Sequence, residues 1–357
     1  MEEEKIEFQT SKSVFYNTKM RLCRSISSLA LGAITDPIEV VDAFCATGIR
    51  GIRYAKENPN VKKITFVDLD KKAITLARKN AKKNKLKSSF EAKNISHAAF
   101  DLFADFLEID PFGTPSPYLL DSMRFFNRNK VAYLSVTATD VAVLCGGIVA
   151  ACMKNYHSKP LNNEFTHENG LRIMIKRIAE VAAEFNFGVC PLISFSNKHY
   201  LKSVIRLDRS ADLAYSAMRS LGYVSYCSNC GYRSSSKFPQ SNCSCGNSTM
   251  DYAGSLWLGE LHNRTFLEKM ISLNQKRDYS DRDEIDKMLN ELGGEIALPA
   301  YYYNVHNLSK FKKSTRVMKI TDVIDRLRTS GFIASRTHFS PISIKTNAPY
   351  SELLKVI

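Results

Sequence analysis

Asp110-Pro111-Phe112-Gly113 combines the residue types needed to hold an amino group for attack on an electrophile. An exocyclic amine on a nucleobase is a weak nucleophile, because its lone pair is delocalised into the ring. The Asp110 carboxylate and the Pro111 carbonyl can both accept its N–H bonds and aim the lone pair at a methyl donor. Phe112, directly behind them, offers a face on which a base can stack. Pro111 lacks an N–H and has a fixed φ, so the turn is stiff and presents acceptors rather than donors. The same four residues also make an ordinary strand-to-loop turn, and the rest of the chain must decide between the two readings. A second constellation lies at Cys227, Cys230, Cys243 and Cys245, a C-x-x-C pair and a C-x-C pair separated by 12 residues. Four thiolates at that spacing, with a glycine after each pair, are the donor set of a tetrahedral structural zinc site. Four protein ligands leave no open position, so a catalytic metal is not expected there.

These residues need elements to position them. Phe106-Leu107-Glu108-Ile109 reads as a short strand that delivers Asp110. Val40 to Gly51 reads as a buried strand, a tight loop and the start of a helix. Gly48 and Gly51 allow close backbone approach to a ligand, and the helix N-terminus favours negative charge. The glycine-rich dinucleotide fingerprint is not met, because Ala43 and Cys45 replace its early glycines. Lys63 to Asp68 is a second apolar strand ending in an acid about 20 residues beyond the loop, where a carboxylate can bridge the ribose hydroxyls of a nucleoside cofactor. Asp70 competes for that role. Ala73, Ile74, Ala77 and Ala81 then recur at helical spacing among lysines and arginines, a solvated face or an RNA contact.

Val131 to Thr137 predicts a further strand, and Gly188 to Phe195 with Tyr200 to Leu207 predicts an antiparallel pair closing the sheet around Ser196-Asn197-Lys198. The order is that of a doubly wound α/β fold, Rossmann-like, whose strand carboxyl ends gather Asp42, Asp68, Asp110 and Asp140. A dehydrogenase shares this layout, but no feature selects a nicotinamide.

The chain has 357 residues, enough for two domains, and its 50 Lys+Arg against 36 Asp+Glu give a formal charge of +14. Such a balance suits a polyanionic partner, with nucleic acid ahead of simple solubility charge. No apolar run reaches the roughly 18 residues of a membrane span, and the N-terminus, Met1-Glu2-Glu3-Glu4, is acidic rather than signal-like. A cytoplasmic protein without membrane association is expected. Cys23, Cys45, Cys145, Cys152 and Cys190 are scattered, mostly in apolar surroundings, and read as buried small residues. His97 reads as a surface or cap residue.

Taken together, these pieces resemble the archaeal tRNA (guanine(26)-N(2))-dimethyltransferase family. The matching segments are Phe15-Tyr16-Asn17, Asp42 to Arg53 (DAFCATGIRGIR), Asp110 to Pro115 (DPFGTP) and Val136 to Gly146 (VTATDVAVLCG). Further matches are His167-Glu168-Asn169-Gly170 with Arg172, His199-Tyr200, Trp257-Leu258-Gly259 and His338-Phe339-Ser340-Pro341. They lie in the family's order and span nearly the whole chain. The resemblance implies a class I methyltransferase domain using S-adenosylmethionine, with tRNA as partner and no obligate protein partner. It implies cofactor contacts at Arg24, Arg50 and Asp68, to which Asp42 at the head of the loop is added. Arg53 is the alternative to Arg50, since the Gly-Ile-Arg repeat admits two alignments. It also implies that Asp110 and the Pro111 carbonyl hold the guanine 2-amino group while Phe112 stacks nearby.

The chain departs from the family pattern at Asn17-Thr18, where Asn-Pro is common. It departs again at Glu91-Ala92-Lys93-Asn94, where an Asp-Ala pair usually meets the adenine amine. Glu91, or a backbone group, is the substitute there. The expected organisation is a catalytic domain over 1–264, with the zinc-binding module at about 222–254 inserted in it, and a smaller α+β C-terminal domain over 265–357 that docks tRNA. Tyr301-Tyr302-Tyr303 ahead of the basic run Lys310 to Lys319 suits either phosphate contact and stacking or core packing. Methylation of another tRNA or ribosomal RNA guanine, and noncatalytic RNA binding on the same fold, are the competing functions.

Overall fold

The computed structural model describes residues 1–246, 249–313 and 317–357. Its centre is a seven-stranded sheet: β1 (Ile38–Ala43), β2 (Val61–Asp68), β3 (Ser89–Ala92), β4 (Phe106–Ile109), β5 (Val131–Ala138), β6 (Phe187–Asn197) and β7 (Tyr200–Arg209). The spatial order is β3-β2-β1-β4-β5-β7-β6. The first five strands are parallel, and β7 runs antiparallel to both β5 and β6. The hairpin expected around Ser196-Asn197-Lys198 is therefore present, and it closes the sheet on the side away from β3.

Strand alternation explains the two cores. Successive side chains point to opposite faces, so Val40 and Phe106 bury against one layer while Val41 and Leu107 bury against the other. On the Val40 face lie α1 (Arg21–Gly32), α2 (Ile49–Glu57) and α3 (Lys71–Lys83), through Ile26, Ile52 and Ala77. On the Val41 face lies α4 (Thr166–Glu184), through Leu171, Ile175 and Ile178. Each fully buried aliphatic or aromatic side chain contributes roughly 2 kcal/mol by leaving water. The lysines and arginine on α3 occupy its exposed face.

Beyond the sheet, β8 (Leu221–Tyr226), β9 (Arg233–Ser236) and β10 (Asp251–Trp257) form a small antiparallel sheet in the order β9-β8-β10, which carries the cysteine cluster. Two helices follow, α5 (Arg264–Lys276) and α6 (Arg282–Glu295). Their apolar stripes, Phe266, Leu267 and Met270 with Ile285, Leu289 and Leu292, join the core on the Val40 face of the sheet. A separate apolar cluster starts at Val305. It is built by β11 (Tyr303–Asn304), α7 (Val305–Phe311), α8 (Ile320–Thr329), β12 (Ala334–Thr337), β13 (Ser340–Thr346) and α9 (Tyr350–Val356). Of the basic run, Ser314, Thr315 and Arg316 lie outside the described residues. Tyr301 and Tyr302 are buried in the main core, so their rings pack rather than offer a stacking platform. Among the described residues no helix is long and apolar enough to cross a membrane.

Candidate active site

The carboxyl ends of β1, β2 and β4 open onto a cavity of about 370 Å³, lined by Arg24, Asp42, Arg50, Asp68, Asp110, Pro111 and Phe112 among others. Its floor is the loop between β1 and α2. Phe44, Ala46 and Gly48 there adopt left-handed φ values of 63°, 47° and 77°. Such a conformation is costly for Phe and Ala and is held by surrounding bonds. One of these bonds comes from Asp68, whose Oδ2 accepts the Ala46 N–H at 2.9 Å. Asp42 accepts the Gly51 N–H at 2.9 Å, fixing the start of α2. Gly51 must lack a side chain, since a Cβ would lie 2.5 Å from the Phe66 ring and 2.8 Å from the Asp42 carboxylate. Burial pushes the Asp42 carboxyl up to about 7, with Arg50 opposing and Glu108 and Asp110 adding to the rise.

Beneath the Asp110 loop is a buried ion-pair platform. Arg50 pairs with Asp110 and lies 3.6 Å from Glu108. Glu108 is held in turn by Lys202 at 2.5 Å and by the Tyr54 hydroxyl at 2.8 Å. Burial would lower the basicity of Arg50, but the two carboxylates outweigh it and lift it further. This arrangement separates the two arginines of the repeat. Arg50 lines the cavity, whereas Arg53 is fully buried against Glu3, Glu57 and Ser25. Arg24 also reaches the cavity, anchored by Glu3 and the Asn17 carbonyl. Burial alone would raise the Glu3 carboxyl, yet Arg24 and Arg53 hold it down at about 2.

Phe112 is 75% exposed and meets Phe15 edge to face, with ring centroids 4.6 Å apart. Two large exposed aromatics at a cavity mouth are a binding feature rather than core. Thr139 and His199, from the ends of the neighbouring strands, complete this side. Phe15 and His199 lie in family-matched segments without an assigned role, and Phe44 and Thr139 carried no chemical signal in the sequence. Cys45 lines the cavity, but burial and the nearby Asp42 and Asp68 raise its thiol, which opposes a nucleophilic role. Glu91 is not brought to the cavity. It sits on the edge strand β3 opposite Val67, and Lys93 engages its carboxylate at 3.2 Å. Asp140 also stands back from the lining, behind Thr139.

The cysteines come together as their spacing suggests. Sγ separations are 3.7 Å for Cys227 and Cys245 and 3.6 Å for Cys230 and Cys243, and all four atoms lie within 4.8 Å of one another. A tetrahedron with Zn–S bonds of about 2.3 Å requires sulfur separations of about 3.8 Å, so the donor set fits zinc. His262, Glu295 and His338 also converge within 4.8 Å. There, however, His338 Nδ1 bonds Glu295 at 2.7 Å, its Nε2 accepts the Ser196 N–H, and Lys345 lies 3.3 Å from the same carboxylate. A neighbouring ammonium and the committed ring nitrogens of His338 make this a polar network rather than a cation site.

The strand order, the acid at the end of β2, the glycine loop entering α2 and the acceptor loop after β4 define a class I S-adenosylmethionine-dependent methyltransferase. The family profile described as N2,N2-dimethylguanosine tRNA methyltransferase matches residues 1–357, and the chain belongs to that family. It is 34% identical to the tRNA (guanine(26)-N(2))-dimethyltransferase of Methanobrevibacter smithii over 359 residues, covering 96% of this chain and 91% of that one. The Pyrococcus abyssi enzyme of the same name is 33% identical over 363 residues, covering 96% and 92%. The solved complex of Trm1 from Pyrococcus horikoshii with S-adenosyl-L-methionine superposes with a TM-score of 0.92 at 28% identity, covering 100% of this chain and 99% of that one.

Proposed function

We infer that this chain transfers one or two methyl groups from S-adenosylmethionine to the exocyclic 2-amino group of guanosine 26 in tRNA. The observation that carries the reading is the juxtaposition at the cavity mouth of the Asp110 carboxylate, Pro111 and the exposed Phe15–Phe112 pair, beside a recess lined by Arg24 and Asp68. S-adenosylmethionine, when bound, supplies an electrophilic sulfonium methyl. Asp68 would take the ribose hydroxyls, and Arg24, Asp42 and Arg50, which line the same cavity, would hold the rest of the cofactor. Glu91 is left out, because it does not line the cavity.

On the base side, Asp110 and the Pro111 carbonyl accept the N–H bonds of the amine and leave its lone pair facing the methyl. As nitrogen attacks in line the methyl's bond to sulfur would break, leaving the neutral thioether, and the nitrogen becomes cationic; both acceptors stabilise that charge, and the Asp110 carboxylate takes the proton. The platform of Arg50, Glu108 and Lys202 holds the loop rigidly for this task. Phe112 and Phe15 hold the ring of a guanine turned out of its stack. The four cysteines bind a structural zinc. Within 265–357 the helices α5 and α6 pack on the main sheet, and the part with its own core from Val305 onward docks tRNA; the enzyme works in the cytoplasm, where tRNA is processed.

The test is incubation with an unmodified tRNA transcript and S-adenosylmethionine, followed by nucleoside mass spectrometry. Dimethylguanosine that vanishes when position 26 is replaced is the expected result. Methylguanosine that persists after that replacement overturns the target. Bound but unmethylated tRNA overturns the reaction.

A further inference from the structure

The loop that carries the acceptors is tied down from behind, chiefly by groups that do not line the cavity. Tyr156, the last residue of the helix Val149–Tyr156, is fully buried. Its hydroxyl donates to the Asp140 carboxylate at 2.9 and 3.0 Å and accepts from Thr114 Oγ1 at 2.9 Å. Two further bonds run alongside. Gly113 N–H donates to Thr139 Oγ1 at 2.8 Å, and Thr139 N–H donates to the Gly113 carbonyl at 3.0 Å. The Ser116 hydroxyl donates to the Asn155 carbonyl. The segment from 113 to 116 is thereby laced both to the end of β5 and to the helix.

The chemistry of Asp140 supports a holding role. Among the described residues no arginine, lysine or histidine forms an ion pair with it. A half-buried carboxylate without a counter-ion is costly, and burial lifts its pKa above the usual range. What it gains is an acceptor-only partner for the phenol. The Tyr156 hydroxyl is itself pushed far up by burial and then by Asp140, so its proton stays on oxygen and points at the carboxylate. Its lone pairs are then left for Thr114, and the direction of the whole chain of bonds is set.

We propose that Tyr156, Asp140 and Thr114 are positioning residues that keep the Asp110–Pro111 acceptors aimed at the amine, and that the second methyl transfer depends on them more than the first. The inference rests on the methyltransferase reading above. An unmodified amine has two N–H bonds and can be held by two acceptors. After one methylation a single N–H remains, so one acceptor alone must aim the lone pair past the methyl already present. A displacement of about 1 Å can cost on the order of a hundredfold in rate. A loosened loop therefore harms the second transfer most.

The experiment follows single turnovers of full-length enzyme on tRNA transcript at saturating S-adenosylmethionine, resolving monomethyl- and dimethylguanosine by mass spectrometry. Tyr156→Phe keeps the ring and removes only the hydroxyl. The expected result is a rate constant for the second transfer lowered by about tenfold or more, with a smaller loss in the first and accumulation of monomethylguanosine. The KM for tRNA and the Kd for the cofactor stay within about twofold, because Tyr156, Asp140 and Thr114 stand outside the cavity lining. Thr114→Val should repeat the defect and Thr114→Ser should restore the wild-type ratio, which carries the test if Tyr156→Phe does not fold. Unchanged progress curves overturn the inference. Equal losses in both steps together with weakened cofactor binding also overturn it, since that is the mark of a general packing role. A wild-type enzyme that makes no methylguanosine overturns the function and this inference with it, whereas an active wild type with indifferent variants overturns the inference alone.

Discussion

Asp110 shows how much of this site is decided by single side chains. Its carboxylate lines the cavity while Arg50 pairs with it from below, so it is not free to swing away. Removing one such charge-stabilising contact typically lowers kcat by about 10²–10³. Asp110→Ala should show that loss. Cofactor affinity should remain within a few-fold, since Arg50 keeps Glu108 as a buried partner and is not stranded. Methyl incorporation and calorimetric titration of S-adenosylmethionine would check both halves. A variant that methylates at the wild-type rate would remove Asp110 from the mechanism.

Among the elements, the cysteine module is informative because of what it touches. The Cys230 carbonyl accepts from the Tyr350 hydroxyl of α9, and a Cβ on Gly231 would lie 2.4 Å from the Phe311 ring of α7. Arg233 on β9 donates to the Tyr302 carbonyl at 2.6 Å and pairs with Glu164. The module therefore abuts the C-terminal helices rather than the methyl-transfer cavity. Cys243→Ser, or treatment with a zinc chelator, is expected to raise hydrogen exchange across 303–357 and weaken tRNA binding. The Kd for S-adenosylmethionine should be unaffected. Unchanged exchange in that region after either treatment would refute the link.

For the molecule as a whole, two buried glutamates join its parts. Glu168 on α4 receives bonds from Arg172, the Tyr301 N–H and Lys345, while Glu295 at the end of α6 receives Thr337 and His338. Burial would raise both carboxyls. For Glu168 the cations Lys345 and Arg172, and for Glu295 His338 and Lys345, hold them below their ordinary value of 4.5 instead. A carboxyl depressed in the folded state binds its proton less tightly there than in the unfolded chain. Its stabilisation is thus complete above about 4.5 and is lost as pH falls toward the depressed value. Glu295→Gln should be less stable than wild type at pH 7 by urea unfolding, with the gap closing as pH drops below about 4.5. A gap independent of pH would mean that the charge of Glu295 contributes nothing.

Local features of the chain determined a great deal. Strand periodicity, the acids at strand ends, the glycine loop and the Asp-Pro turn are short-range signals, and they located β1, β2, β4, β5 and the closing hairpin along with Asp42, Asp68 and Asp110. Cysteine spacing likewise located a cluster whose sulfurs do converge. Tertiary structure alone decided matters that depend on distant partners. Arg50 and Arg53 sit in identical Gly-Ile-Arg contexts, and only Glu108 and Asp110 on one side, with Glu3 and Glu57 on the other, tell them apart. Glu91 fits the family position, yet on the edge strand it falls outside the cavity lining. Tyr301 and Tyr302 beside a basic run suited either a stacking surface or core packing, and the fold decides for the core, where α4 and its neighbours cover them. The helices after residue 264 are amphipathic in any setting, and their packing on the Val40 face follows from which apolar surface the sheet leaves uncovered. Turn chemistry and hydrophobic period act over a few residues, whereas the direction of a charged or aromatic side chain is set by whichever groups the fold brings beside it, from a few to more than a hundred residues away.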